Sequence, residues 1–253
     1  MIVSVAQAQL FFLVVTRVLA MLIHVPVLGG QSIPTQVRLA FGLVLSAVLI
    51  PWQPLPPGAE AMGLFGFAVA IGKEVLLGTL AGFAAELTFA VIVIAGEAMG
   101  LESGFSSGRV FNPSMGESGS AFNQLFVMVA MMFFFIIDGH HIFLIAMQKT
   151  FEVIPVNGTL PLQSLDALIR MTAQLIAAGI QLALPVMAAL IFTDVALGLL
   201  ARVAPQVQIF FLGLPLKVGV SMAALGLLVT MVLPAVGNLY KMVGNRMLIL
   251  LGK

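Results

Sequence analysis

Apolar residues fill long blocks of this chain, and polar residues are confined to short breaks between them. Long apolar runs punctuated by Gly, Pro and small polar clusters predict helices. Residues 1–28 form the first block, interrupted by Arg17 and His24 and closed by Pro26 and Gly29-Gly30. A connector over 31–38 leads into 39–51, and WQPLPPGAE then reads as a turn-rich loop. Residues 62–101 are long enough for two spans or one long bent hairpin. An aromatic and Met-rich run follows at 121–137, then a polar break, Asp138-Gly139-His140-His141, then an apolar 142–147. Residues 148–166 read as loop. The stretches 167–201 and 203–235 read as a helical pair kinked by Pro185, Pro205, Pro215 and Pro234. Hydropathy alone gives about six spans of ~20 residues each.

The least lipid-like stretch is Gly96 to Gly119, GEAMGLESGFSSGRVFNPSMGESG. Gly96, Gly100, Gly104 and Gly108 recur every four residues, which on a helix gives one bare edge for close backbone packing. The pattern dissolves into Ser106, Ser107, Asn112-Pro113 and Gly116, where a helix is not expected to continue. Glu97, Glu102, Arg109 and Glu117 fall inside it. Such backbone and charge between hydrophobic blocks are tolerated only where buried in protein or lining a water-filled path. Phe105, Phe111 and Met115 add bulk to the same segment. Small residues for mobility with a few large ones to seal is what a closable pore requires. The segment from Gly96 to Gly119 is therefore expected to gate or plug something. A re-entrant packing loop with no gating role accounts for the pattern about equally well.

Composition sharpens this picture. The chain has 253 residues, 61% of them hydrophobic and 8% charged, against roughly 25% charged in an ordinary soluble domain. That is an integral membrane composition. The net charge of +1 offers no bulk electrostatic case for nucleic acid. With no cysteine, disulfides, thiol catalysis and Cys-based metal sites are excluded. The start, MIVSVAQAQLFFLVV, lacks a basic n-region and is not read as a cleaved signal peptide. The Asn157-Gly158-Thr159 sequon is read as coincidence. No long polar linker appears, so a single domain over 1–253 is expected. The tail, 239–253, carries Lys241, Arg246 and Lys253 without an acid, and is cytoplasmic by the positive-inside rule.

Charge placement argues against simple lipid exposure. Lys73, Glu74, Glu86 and Glu97 would cost about 10–14 kcal/mol at ~2.5–3.5 each if central. The seventeen Leu, Ile, Val and Phe residues from 64 to 101 return only about 5–10 kcal/mol at ~0.3–0.6 each. This region is expected to meet protein partners.

Candidate chemistry is sparse. Glu86 and Glu97 stand eleven residues apart, about three turns, so one helix would carry both on one face. A proton or cation path is one reading. Contacts with basic or amide groups on neighbouring helices is the favoured one, since no acid-His relay continues the line. Arg170, Gln174 and Gln181 share a face, a stripe suited to another helix more than to a substrate. Asp194 and Arg202 are offset by about 80° and are expected to have separate partners. Asp138, His140 and His141 raise a metal site. Adjacent helical histidines point about 100° apart, so a helix-boundary role is favoured and no metal or cofactor is expected. No protease-like, Walker or dinucleotide pattern is present.

Three blocks together are more specific: GLESGFSSGRVFNPSMG at 100–116, IDGHHIFLIAMQKTFEVIP at 137–155, and PVMAALIFTDVALGLLARVAPQVQIFFLGLPLK at 185–217. In this order and spacing they resemble the type III secretion export-gate family, in its flagellar (FliR) branch over the similar injectisome branch. The likeness covers nearly the whole chain. It departs from the family pattern at Glu102, Asn112 and Gln208, where glutamine, aspartate and asparagine are usual.

The resemblance implies an all-α integral membrane protein of helical hairpins with kinked helices, packed in a hetero-oligomeric spiral. It implies FliP-like and FliQ-like partners, an FlhB-like one as well, and residence in the bacterial inner membrane within the flagellar basal body. The complex passes unfolded flagellar subunits, and the segment matching 103–119 closes the channel. Gly104, Phe105, Ser106, Ser107, Gly108, Arg109, Phe111, Asn112, Pro113, Met115 and Gly116 are then the closing loop. Gly96 and Gly100 pack helices, and Glu86, Glu97, Arg170, Asp194 and Arg202 make inter-subunit polar contacts. Catalysis is not expected. Two other classes predict different things: a small-solute secondary transporter coupled through Glu86, Glu97 and Asp194 predicts inverted repeats, and an intramembrane enzyme at Asp138, His140 and His141 predicts a bound metal.

Overall fold

The computed structural model describes residues 5–25, 29, 33–50, 62–105, 120–160, 164–206 and 208–252. All regular structure among them is helical: α1 Val5–His24, α2 Thr35–Leu49, α3 Leu64–Glu102, α4 Ala121–Ile136, α5 Gly139–Val153, α6 Ser164–Val203, α7 Ile209–Lys241 and α8 Val243–Leu250. The all-helical membrane class holds. Among the described residues three helices, α1, α3 and α6, are long and apolar enough to cross a bilayer, and a fourth crossing follows if α4 and α5 are one broken span.

That differs from six spans of uniform length. Residues 62–101 form neither two spans nor a hairpin; α3 is one helix of 39 residues, about 58 Å at ~1.5 Å per residue. No proline or polar turn cluster interrupts 64–102, and its Lys73, Glu74, Glu86 and Glu97 side chains bond sideways to other segments, not at a turn. The α6 helix is similarly long, at 40 residues. Pro185 lies inside it, while Pro215 and Pro234 lie inside α7. Pro205 stands instead in the turn between the two helices, where its fixed φ suits a stop.

The expected loop over 148–166 is also shorter. Helix α5 continues to Val153 because Met147, Thr150 and Phe151 fall on its buried face. The polar break is just Ile137-Asp138, with Asp138 in the left-handed region at φ 57° and both histidines already helical. Aspartate tolerates that conformation better than most residues.

By its internal packing the chain divides into two compact units: 1–89 with 138–172 and 241–253, and 90–137 with 173–240. In the first, α1 packs on α2, and α8 packs on α5 through Val243, Met247 and Leu250. Leu13, Val14, Val18, Met21 and Leu22 of α1 are fully buried there. In the second, Tyr240 of α7 donates to the carbonyl of Ala130 on α4 at 3.1 Å, with its ring edge-on to Phe134 at 5.0 Å. Helix α6 carries Asp166 in its first turn and Arg202 in its last, matching the sign of the helix dipole at each end.

Candidate functional site

Two arrangements stand out, one in each unit. In the second unit, the end of α3 and the start of α4 are held together around the root of the central loop. Ser120 is the N-cap of α4, accepting from the Asn123 amide at 3.1 Å. The Asn123 side chain donates to Glu97 at 2.6 Å. Behind that bond the helices touch nearly backbone to backbone. A Cβ at Gly96 would fall inside the van der Waals shell of Asn123 Oδ1, and one at Gly100 inside that of Ser120 Oγ. Gly104 then ends α3 with φ 80°, the left-handed conformation that glycine adopts freely at a helix C-terminus. Ser103 Oγ donates back to the Gly100 carbonyl at 2.9 Å, and the Phe105 ring meets the fully buried Phe122 ring at 5.9 Å. The chain thus leaves the collar at Phe105 and re-enters it at Ser120. Of the expected closing loop, Gly104 and Phe105 belong to this collar. Ser106, Ser107, Gly108, Arg109, Phe111, Asn112, Pro113, Met115 and Gly116 lie outside the described residues.

In the first unit, Arg17 and Glu74 form a doubly bonded pair at 1% and 0% exposure. Arginine has five N–H donors, and here all find acceptors. Two go to Glu74, one of them at 3.0 Å. The others reach the carbonyls of Thr150 at 3.3 Å, Ile154 at 2.6 Å and Pro155 at 3.3 Å. Thr150 lies in the last turn of α5, Ile154 is its C-cap and Pro155 follows, so α1 supplies donors to the C-terminal end of a helix far along the sequence. Phe151 places its ring 4.5 Å below the guanidinium carbon. Glu74 in turn accepts from the Asn157 amide at 2.7 Å, where Asn157 adopts φ 60°, and Lys73 reaches the Asn157 side-chain oxygen at 3.5 Å. Sequence reasoning noted Arg17 only as an interruption of the first apolar block and Asn157 only within a coincidental sequon, and gave neither a structural role. The available signal was that an arginine within the first apolar block must have a partner.

The remaining expected site residues fall as follows. Glu86 binds His24 of α1 at 2.7 Å, so both it and Glu97 meet a basic or amide group on a neighbouring helix of the same chain. Asp194 pairs with Lys217 of α7 at 2.7 Å, not with Arg202. Arg170 pairs with Asp166 on its own helix at 2.9 Å, with both side chains mostly exposed. Arg202 is exposed in the last turn of α6, and Gln174 and Gln181 are exposed along it. In the first unit, Arg246 of α8 donates to Thr88 at 3.1 Å, and burial lowers its pKa from the usual arginine value.

Asp138, His140 and His141 offer ligand atoms within 4.8 Å of one another, closer than separation along an ideal helix suggests. The left-handed Asp138 folds its carboxylate back to His141 at 3.5 Å. They crowd the first turn of α5, whose dipole disfavours a cation, and Asp138 and His141 are both largely exposed. No ligand is assigned to them.

Outward, the molecule is strongly apolar. Only 33% of the α6 span is buried within the chain, and Ile176, Ile180, Leu184, Ile191 and Phe192 are exposed along it. Such faces require lipid or other hydrophobic protein.

This is an all-helical integral membrane protein whose buried charges are matched internally and whose longest helices carry broad apolar faces outward. The chain belongs to the family described as bacterial export proteins, family 1, which it matches over residues 8–243. It is 33% identical to the flagellar biosynthetic protein FliR of Caulobacter vibrioides over 224 residues, covering 87% of this chain and 89% of that one. It is 29% identical to FliR of Escherichia coli over 94% of this chain and 90% of that one. With FliR of Bacillus subtilis the identity is 28%, over 92% and 90%.

Proposed function

We propose that this protein is a core subunit of the flagellar type III export gate in the bacterial inner membrane, and that residues 103–119 close its channel to unfolded flagellar subunits. The observation that carries the reading is the family match along nearly the whole chain, joined to relatives named flagellar biosynthetic protein at up to 33% identity. It acts as a channel component, with no enzymatic role and no cofactor.

The geometry supports this division of labour. The collar of Gly96, Gly100, Ser120 and Asn123 fixes both roots of the central loop to one place. The apolar faces of α6 and α7 supply surface for FliP-like and FliQ-like subunits in a spiral, with an FlhB-like subunit as a further partner. Arg202, Gln174 and Gln181, exposed on α6, are the polar groups best placed to join such contacts. No observation favours a secondary transporter, since Glu86, Glu97 and Asp194 are each occupied by a partner in this chain.

The decisive experiment is a native gel of tagged protein extracted in mild detergent from its own host. A large assembly containing other small hydrophobic subunits is expected; an intact monomer or homodimer would refute the export-gate reading. Deleting 106–116 within the assembled complex is expected to make the membrane leak ions or small molecules. An unchanged barrier in a well-assembled deletion would remove the closing role from the loop.

A further inference from the structure

Where α8 lies against α5, a cavity of about 160 Å³ opens between them and the end of α7. Its polar lining is Lys149, Lys241 and Asn245, and its apolar lining includes Ile142, Ile145 and Leu248. No carboxylate lines it. Among the described residues neither lysine makes an ion pair or hydrogen bond, although Glu152 stands within one turn of Lys149 on α5. Arg246, the cation of α8, is turned to Thr88 instead. Two lysines lining one small cavity with no carboxylate beside them make it favourable for an anion.

We propose that this cavity binds the phosphate headgroup of an anionic phospholipid of the cytoplasmic leaflet. The two ammonium groups bind the phosphate oxygens, and the Asn245 amide provides a neutral donor to the glycerol or a phosphate oxygen. The apolar half of the same cavity takes the first carbons of the acyl chain. That half favours a lipid over free phosphate, which has nothing to place against Ile142, Ile145 and Leu248. The neighbouring Met242 and Ile249 are exposed and apolar, in keeping with a bilayer beside them. The side of the membrane agrees, since the basic tail is cytoplasmic by the positive-inside rule, and basic pockets on that side meet anionic headgroups.

Native mass spectrometry of the full chain in its natural assembly, titrated with phosphatidylglycerol, tests the assignment. One tightly retained phosphatidylglycerol per chain is expected. Each lysine contributes about fivefold, so Lys149→Gln with Lys241→Gln should weaken retention about 30-fold, while Lys149→Arg with Lys241→Arg should restore it. Equal retention by the wild type and the glutamine double variant, both assembled, overturns the proposal. If the double variant does not assemble, the wild type still decides: equal retention of phosphatidylcholine removes the charge argument. Saturation by inorganic phosphate with no phosphatidylglycerol retained removes the lipid.

Discussion

Replacing Arg17 with alanine should be among the most damaging single substitutions in this chain. The change removes one partner of a fully buried ion pair and strands the Glu74 carboxylate at 0% exposure. Losing one member of such a pair costs about 3–5 kcal/mol, two to nearly four powers of ten in a folding equilibrium. Against a total stability of roughly 5–15 kcal/mol, that alone can empty the native state. The carbonyls of Thr150, Ile154 and Pro155 lose the guanidinium as a donor as well. Lys in place of Arg keeps the charge but offers three donors from one point. Arg17→Lys should therefore fall between wild type and alanine. Glu74→Gln keeps an acceptor for the Asn157 amide yet leaves the guanidinium charge unmatched. Joint loss of both partners should cost less than the sum of the two single losses. The assay is thermal melting of the purified assembly, with steady-state abundance in membranes as the cellular readout. Amide exchange at Asn157 should rise in Arg17→Ala. If Arg17→Ala melted with the wild type and left the Asn157 amide protected, the pair would not bind these elements together.

Other outcomes follow from the same contacts. Gly100→Val should separate α3 from Ser120 and uncap α4, lowering the melting temperature and raising leakage through the assembled complex, measured by ion flux. Asn123→Ala should be milder, losing its bond to Glu97 and leaving that carboxylate half-buried, a cost of about 1–3 kcal/mol by melting. Arg170→Ala should change stability by no more than about 0.5 kcal/mol, because its pair with Asp166 is solvated on both sides. For Lys217→Met and Asp194→Asn, a double-mutant cycle should show positive coupling, whereas Arg202→Met with Asp194→Asn should be additive.

The sequence disclosed class more readily than geometry. Its apolar blocks and scarce charge made the helical membrane fold legible, and the fourfold glycine spacing drew attention to the place where α3 and α4 touch. Helix lengths were hidden because a window of ~20 residues presumes the thickness of a bilayer. Nothing in 64–102 signals either a break or the lack of one more strongly than that presumption. The continuation of α5 to Val153 was obscured by Gln148, Lys149 and Glu152, which are exposed on a helix whose other face is buried. The Arg17–Glu74 pair was hidden for a different reason. Its members are separated by 57 residues, and no local periodicity connects them. Insertion arithmetic marked Glu74 as an expense without including the cation that meets it. The convergence of Asp138 and His141 depended on one left-handed residue, which a regular helical projection does not include.

The capping of α5 by an arginine of α1 also sets an order of events during synthesis. Arg17 emerges first, Glu74 follows 57 residues later, and the Thr150 carbonyl a further 76 residues on, at a separation of 133. At ~5–20 residues per second, the cation waits about 3–11 s for its carboxylate and about 7–27 s for the helix end it caps. For the first interval α1 is a poor passenger in lipid, and the insertion machinery must shelter it or leave it at the interface. The arrival of α3 supplies the carboxylate that neutralises the charge. The end of α5 is then received by a guanidinium already held in place, so biogenesis has a checkpoint at Glu74 that the finished structure no longer displays.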